Sequence, residues 1–151
     1  MPEPRLRVLF LCTGNSARSQ IAEAVLRDLS KGRAEVFSAG SLPAREILPA
    51  ARAVLEDRFR IDTSRLSPKS MDDFLGECFD FVITVCDKTA ERCPVFPGDP
   101  ERIHWSFDDP ALEPTPELQR RACEHVANGI AGRLRIWMSL PEIRRRLDAA
   151  Q

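Results

Sequence analysis

The sequence predicts an α/β fold, a three-layer sandwich with a four-stranded parallel sheet flanked by helices. Three observations predict it. Apolar runs of strand length recur without polar alternation, which marks strands buried on both faces. Segments with apolar residues at helical spacing separate those runs. Strands that alternate with helices join in parallel through right-handed crossovers.

The elements follow in order. Residues 6–11, LRVLFL, give the first strand. Ile21, Ala24, Val25 and Leu29 give a helix over 17–29. AEVFS, 34–38, is a second strand, closed by the turn-prone Ala39-Gly40. Ile47, Ala51, Val54 and Leu55 give a helix over 45–57. A short helix starts near Ser70, where SMDD supplies a cap and first-turn acids. FDFVITV, 79–85, is the third strand, and ERIHWSF, 101–107, contains a short fourth. Thr115 as cap and Pro116 in the first turn open a long helix to about Met138. Ser139-Leu140-Pro141-Glu142 reads as a capping box for a separate terminal helix.

Composition bounds the function. A chain of 151 residues suits one domain, 1–151, with its own core. The net charge of −1 supplies no field that would gather nucleic acid or an anionic membrane. The run Arg144-Arg145-Arg146 reads as the solvated face of the terminal helix. No stretch approaches the roughly 20 apolar residues of a membrane span. The start, MPEPRLRVLF, lacks a long apolar region and a small-residue cleavage site. The expectation is a cytoplasmic monomer. There, five cysteines do not read as structural disulfides, and their count is odd. Without a CxxC pair, and with only His104 and His125 to assist, they make no zinc site either.

In parallel sheets ligands bind beyond the carboxyl ends of the strands. Cys12, Cys86 and the segment after Trp105 all fall there. The first of these loops, Cys12-Thr13-Gly14-Asn15-Ser16-Ala17-Arg18, reads as an anion cradle. Backbone N–H groups at a strand-to-helix turn can point inward, and the helix N-terminus adds partial positive charge. Gly14 permits a tight turn, and the planar fork of Arg18 matches two oxygens of a tetrahedral oxyanion. The same field should lower the Cys12 pKa below ~8.5, with Ser19 donating to the thiolate. A thiolate beneath a bound oxyanion is a nucleophile aimed at its central atom.

VLFLCTGNSARSQIAEA resembles the signature of the low-molecular-weight protein tyrosine phosphatase superfamily. The likeness continues through Ser38-Ala39-Gly40, Ile61-Asp62-Thr63-Ser64 and Asp109-Pro110. It implies that Cys12 is the nucleophile, that Thr13 to Arg18 bind the oxyanion, and that Asn15 holds the loop's shape. It also implies that Ser19 helps the thiolate. Asp109, rather than the adjacent Asp108, is implied as general acid because it directly precedes proline.

Phosphatase chemistry needs one cysteine. Here Cys86 directly follows the third strand and Cys93-Pro94 lies seven residues on. The polar connector DKTAER, 87–92, is expected to be exposed and mobile, as sulfur exchange between partners requires. With His104-Trp105-Ser106-Phe107-Asp108-Asp109-Pro110, this resembles the thioredoxin-coupled arsenate reductases built on the same fold. That resemblance implies a relay. Cys12 attacks arsenate and Asp109 protonates the leaving oxygen. Cys86 then forms a disulfide with Cys12 as arsenite leaves, and Cys93 moves the disulfide to Cys86–Cys93. An external thiol reductant, thioredoxin or a glutaredoxin or mycothiol system, would reopen it, and no bound cofactor or metal is implied.

Two departures stand out. Ala17 occupies a position where several members carry a further cysteine. Lys69 stands where some members have an acidic residue that helps hold a monovalent cation, and its ammonium is expected to substitute. Cys78 and Cys123 read as small buried apolar residues. His104 reads as structural, Trp105 and Phe107 as packing for the acid loop, and Trp137 as a helix face.

The rival enzyme reading is a phosphomonoesterase on the same loop, with Cys86 and Cys93 idle. The chain has no Tyr and carries Ala111 after Asp109-Pro110, which disfavours a groove for phosphotyrosine. A phosphocarrier module would lack Arg18 and Asp109. A redox sensor would need neither.

Overall fold

The computed structural model describes residues 5–86 and 93–150. The connector 87–92, expected to be mobile, lies outside the described residues. Four strands form one parallel sheet: β1 (Leu6–Cys12), β2 (Ala34–Gly40), β3 (Phe81–Thr84) and β4 (Glu101–His104). Their spatial order is β2-β1-β3-β4. The helices are α1 (Arg18–Leu29), α2 (Pro49–Phe59), α3 (Pro116–Ser139) and α4 (Pro141–Ala149). Short 3-10 turns occupy Met71–Phe74 and Pro110–Leu112.

Alternation along the strands divides the core in two. Val8, Phe10, Cys12, Ile83 and Val85 face a large core with the buried sides of all four helices, including Ile21, Val54, Ile130 and Ile143. Leu9, Leu11, Ala39 and Val82 face a smaller core closed by Phe74, Phe79 and Phe96. The helices are therefore gathered on one face, and the opposite face is covered by aromatic side chains from a 3-10 turn and connecting segments. Phe79 sits edge-on to Phe96 and Phe37, with centroids 5.7 Å apart in each pair. On the helix side Trp137 meets Phe81 at 5.1 Å and 90°, as a helix-face residue would.

The order β2-β1-β3 makes a switch point. From β1 the chain goes one way to β2, and β3 lies on the other side, so a crevice opens at the carboxyl ends of β1 and β3. Cys12 ends β1, and the register Leu11↔Thr84 carries Cys86 level with Thr13.

The local differences from expectation each have a cause. β2 runs on through Ala39-Gly40 instead of turning there, since Gly40 pairs with Cys12. α2 begins at Pro49 rather than near residue 45. Leu48, the residue before that proline, is extended at φ −59°, ψ 125° and serves as cap. β3 is shorter than 79–85, because Phe79 turns into the aromatic core and Asp80 binds both backbone groups of Arg7. The capping box at Ser139 does not form. Ser139 is the last residue of α3, its hydroxyl donates to the Ile136 carbonyl at 2.6 Å, and Leu140 caps α4. Cys78 is exposed rather than buried, whereas Cys123 is buried against the sheet. Thr63 is tied to α2 through Arg52 and Glu56, which gives that part of the family-like Ile61–Ser64 segment a structural role.

Arg7 pins the amino end of the sheet. Its guanidinium reaches Glu35 at 3.1 Å, Glu77 at 2.7 Å and the Cys78 carbonyl at 2.8 Å, and lies 5.0 and 5.1 Å from the ring centres of Phe37 and Phe79. The ion pairs are partly solvated and contribute little alone, so the ring contacts and the planar fork carry the effect. Arg7→Ala should lower unfolding free energy by about 1–2 kcal/mol in urea titration, and Arg7→Lys should recover less than half of it.

Candidate active site

The loop between β1 and α1 is shaped from outside. The carbonyls of Cys12, Thr13, Gly14 and Ser16 accept from the N–H groups of Ser41, Leu42, Ala44 and Leu48, at 2.8–3.2 Å. In a trans peptide the N–H points opposite to the C=O. Turning these carbonyls outward therefore turns the following N–H groups inward, and Asn15 N–H reaches Cys12 Sγ at 3.1 Å. α1 starts without a side-chain cap on its first N–H groups. The result is a loop whose carbonyls are bound outside and whose Asn15 N–H faces inward at the start of a helix, the geometry that an anion site uses.

Two details differ from expectation. The strained residue is Asn15, at φ 50°, and Gly14 keeps a φ open to any residue. The glycine that matters is Gly40. A Cβ there would meet the Thr13 carbonyl oxygen at 2.5 Å and the Asn15 nitrogen at 3.0 Å. Gly40 lets the cradle sit directly on β2.

The Asn15 side chain offsets its backbone strain with four bonds. It donates to Ser19 Oγ at 2.7 Å and Ser38 Oγ at 3.0 Å, and accepts from Gln20 at 2.9 Å and from Lys69 N–H at 2.8 Å. The Ser38 hydroxyl donates to Glu23 Oε1 at 2.6 Å. Lys69 Nζ stands 3.6 Å from Glu23 and donates to the Ser67 carbonyl at 2.8 Å. An ammonium thus lies beside a buried carboxylate next to the loop, at the place where the sequence reading expects Lys69 to act as a cation.

Cys12 Sγ lies 2.8 Å from Ser19 Oγ. Its environment overturns the expected low pKa. Burial pushes the thiol up, because a thiolate at this depth loses its water, while Ser19, Arg18 and the Asn15 N–H all favour the ion. Arg18 is buried, donates to the Phe107 carbonyl at 3.0 Å and stands 3.5 Å from Asp109. Asp109 also accepts from Ala111 N–H at 3.0 Å, which caps the turn at Pro110. Asp108 is exposed on the same rim. The acid loop is fixed by packing, as expected of Trp105 and Phe107. Phe107 lies against Gly129 of α3, and Arg133 lies 5.1 and 5.9 Å from the ring centres of Phe107 and Trp105. His104 Nδ1 pairs with Thr84 Oγ1 at 2.7 Å, a structural role.

A cleft of about 420 Å³ opens above the loop, lined by Thr13, Arg18, Cys86, Asp108, Asp109 and neighbours. Strict alternation after Val85 would send Cys86 to the aromatic face. A bend at Cys86 instead turns it to the helix side, where Thr13 Oγ1 is 3.4 Å from its sulfur. Cys93 lies on the opposite side of the sheet, packed against the core of Leu9, Val82 and Phe96. No disulfide joins any of the five cysteines. Burial and the nearby Asp109 charge push the Cys123 thiol up to about 12, leaving it inert. Among the described residues no group of three or more His, Cys, Asp or Glu side chains could hold a metal ion, and no helix is long and apolar enough to cross a membrane.

Sequence reasoning missed the outer wall, residues 41–48, and the place of Gly40. The wall carries no periodic pattern, and its contribution is backbone N–H groups that any residue but proline supplies.

Residues 7–139 match the low molecular weight phosphotyrosine protein phosphatase family. An arsenate reductase of Halalkalibacterium halodurans is 36% identical over 129 residues, covering 85% of this chain and 91% of its own. An arsenate reductase of Brevibacillus brevis is 40% identical over 119 residues, covering 78% and 87%. A thioredoxin-dependent arsenate reductase of Corynebacterium glutamicum superposes with a TM-score of 0.70 at 32% identity, over 100% of this chain and 66% of that longer one.

Two predictions follow from the cradle. Alkylation of Cys12 by a neutral reagent should climb with pH to a midpoint above that of an ordinary thiol. Ser19→Ala should move that midpoint further up, since Ser19 favours the thiolate and Asn15 keeps its bond to Ser38. In Gly40→Ala, displacement of the loop by its own support should cost about 100-fold in turnover while the fold still melts cooperatively, read by steady-state kinetics beside calorimetry.

Proposed function

The chain belongs to the low molecular weight phosphotyrosine protein phosphatase family, and we propose that it is the reductive member, converting arsenate to arsenite through a three-cysteine relay. The observation that carries this reading is the placing of Cys86. A hydrolase needs no second thiol, yet the bend after β3 turns one into the cleft, beside the loop that begins at the nucleophile. The names of the relatives support the same substrate.

The chemistry runs as follows. Arsenate takes the inward N–H groups of residues 13–18 and the Arg18 fork. An arriving dianion accepts the Cys12 proton, which reconciles a thiol raised by burial with its task as nucleophile. Ser19 and the Asn15 N–H hold the resulting thiolate. Cys12 Sγ bonds to arsenic, and one oxygen leaves as water with a proton from Asp109. The Cys86 thiolate then attacks Cys12 Sγ. The S–As electron pair goes to arsenic, which departs as arsenite, reduced by two electrons, and a Cys12–Cys86 disulfide remains. Cys93 attacks Cys86, and Cys12 leaves as thiolate. A dithiol reductant of the thioredoxin class reopens Cys86–Cys93, so the electrons come from thiols throughout. Lys69 beside Glu23 supplies the fixed positive charge near the loop. The molecule is expected to work as a monomer in the cytoplasm.

Because Cys93 rests on the other side of the sheet, its step requires the Cys86 and Cys93 sulfurs to come together from opposite faces. The rival reading, phosphate-ester hydrolysis, would use Cys12, Arg18 and Asp109 alone.

Arsenate supplied with thioredoxin, its reductase and NADPH separates the two. Cys86→Ser should abolish arsenite formation, and Cys93→Ser should release one equivalent and stop. Both variants cycling at the parent rate would exclude the relay. Ester hydrolysis retained by both, with no arsenate turnover in the parent, would favour the rival.

A further inference from the structure

We propose that Arg102 is the positioning residue for the resolving thiol, favouring the thiolate form of Cys93 for its attack on the Cys12–Cys86 disulfide. The proposal deepens the relay reading and rests on it. Its basis is a shared carbonyl. Arg102 Nη2 donates to the Pro94 oxygen at 2.9 Å, and Cys93 Sγ donates to that same oxygen at 3.7 Å. One acceptor thereby brings a guanidinium and a thiol together. Both also line a small cavity of about 130 Å³ at the β3–β4 edge, with Val82, Thr84, Ile103 and His104.

Among the described residues, the charged or titratable groups lining that cavity with Cys93 are Arg102 and His104, and His104 is engaged with Thr84. The aromatic core behind Cys93 is apolar. Half-burial pushes the Cys93 thiol up, and the charge of Arg102 pulls it down. A thiol can donate to the Pro94 oxygen. A thiolate cannot, and the carbonyl dipole repels it, so the ion depends on the adjacent guanidinium. Arg102 is a member of β4, so it holds this charge at a fixed place on the sheet.

The step balances without another reactant. Cys93 gives its proton to solvent, and its thiolate forms a bond to Cys86 Sγ. The Cys12–Cys86 bond breaks, with its electron pair leaving on Cys12. One disulfide is exchanged for another, and nothing is oxidised or reduced overall.

The test uses the whole chain and the variants Arg102→Ala and Arg102→Lys. The pH dependence of Cys93 alkylation by iodoacetamide is read peptide by peptide, beside arsenate-dependent NADPH consumption. In Arg102→Ala the alkylation midpoint should move up, and turnover at neutral pH should fall about tenfold per unit of that displacement. The deficit should close only at pH above the variant's own raised midpoint, where the thiolate predominates in both proteins. Arsenite release in a single turnover, which needs Cys12 and Cys86, should stay at the parent rate. Arg102→Lys should restore most of the loss. An unmoved midpoint, or a deficit equal at every pH, would overturn the assignment. A moved midpoint together with full cycling by Cys93→Ser would instead sink the relay, leaving Arg102 as a charge partner with no part in turnover.

Discussion

A peptide cannot aim its carbonyl and its N–H in one direction, and the site depends on that constraint. Four carbonyls of the Cys12–Arg18 loop are bound on the outside by residues 41–48. The loop's donors then have only the interior to face. The same constraint makes Gly40 necessary, since the loop can lie against β2 only where no Cβ intervenes. Asn15 completes the arrangement from within, holding a left-handed turn by bonds to α1, β2 and the segment around Lys69. Preorganisation of this kind spares the loop from reorganising when an anion arrives.

Burial explains why so many groups surround one sulfur. The cost of stripping water from a Cys12 thiolate outweighs its favourable neighbours in the resting site. In the proposed reaction, an arriving charged substrate would take the proton and so make Cys12 nucleophilic. Arg18 is held meanwhile by the Phe107 carbonyl and Asp109, so the guanidinium and this carboxylate are already together at the mouth of the cleft.

The parts legible in the sequence were those with a local signal. LRVLFLC has no alternation and is a central strand, and the loop and α1 follow it within one continuous stretch. Thr115-Pro116 announces α3 by its own capping chemistry, and Thr115 accepts from Leu118 N–H at 3.2 Å. What was not legible depends on distant backbone. The helical spacing of Ile47 suggested a helix from residue 45, but Leu48 N–H is committed to Ser16, so the segment serves the loop instead. Ser139 offers a cap on paper, yet Leu140-Pro141 imposes an extended residue one step later. The lowered Cys12 pKa followed from counting charges, and it failed because depth cannot be counted in a sequence.

The division of the sheet into two faces bears most directly on the chemistry. Cys12 and Cys86 share the helix side, so the first disulfide can form within one cleft. Cys93 lies across the sheet among Val82 and Phe96. In the proposed relay, a Cys93 thiol that is distant at rest would not compete with Cys86 for Cys12, which would order the two exchanges in time. β4 is the edge strand, four residues long and largely exposed. In the proposed relay, the arrangement would separate chemistry on arsenic from exchange with an external dithiol, which needs an open rim. A phosphatase would gain nothing from that separation, and this is the physical reason to read the second and third cysteines as working parts.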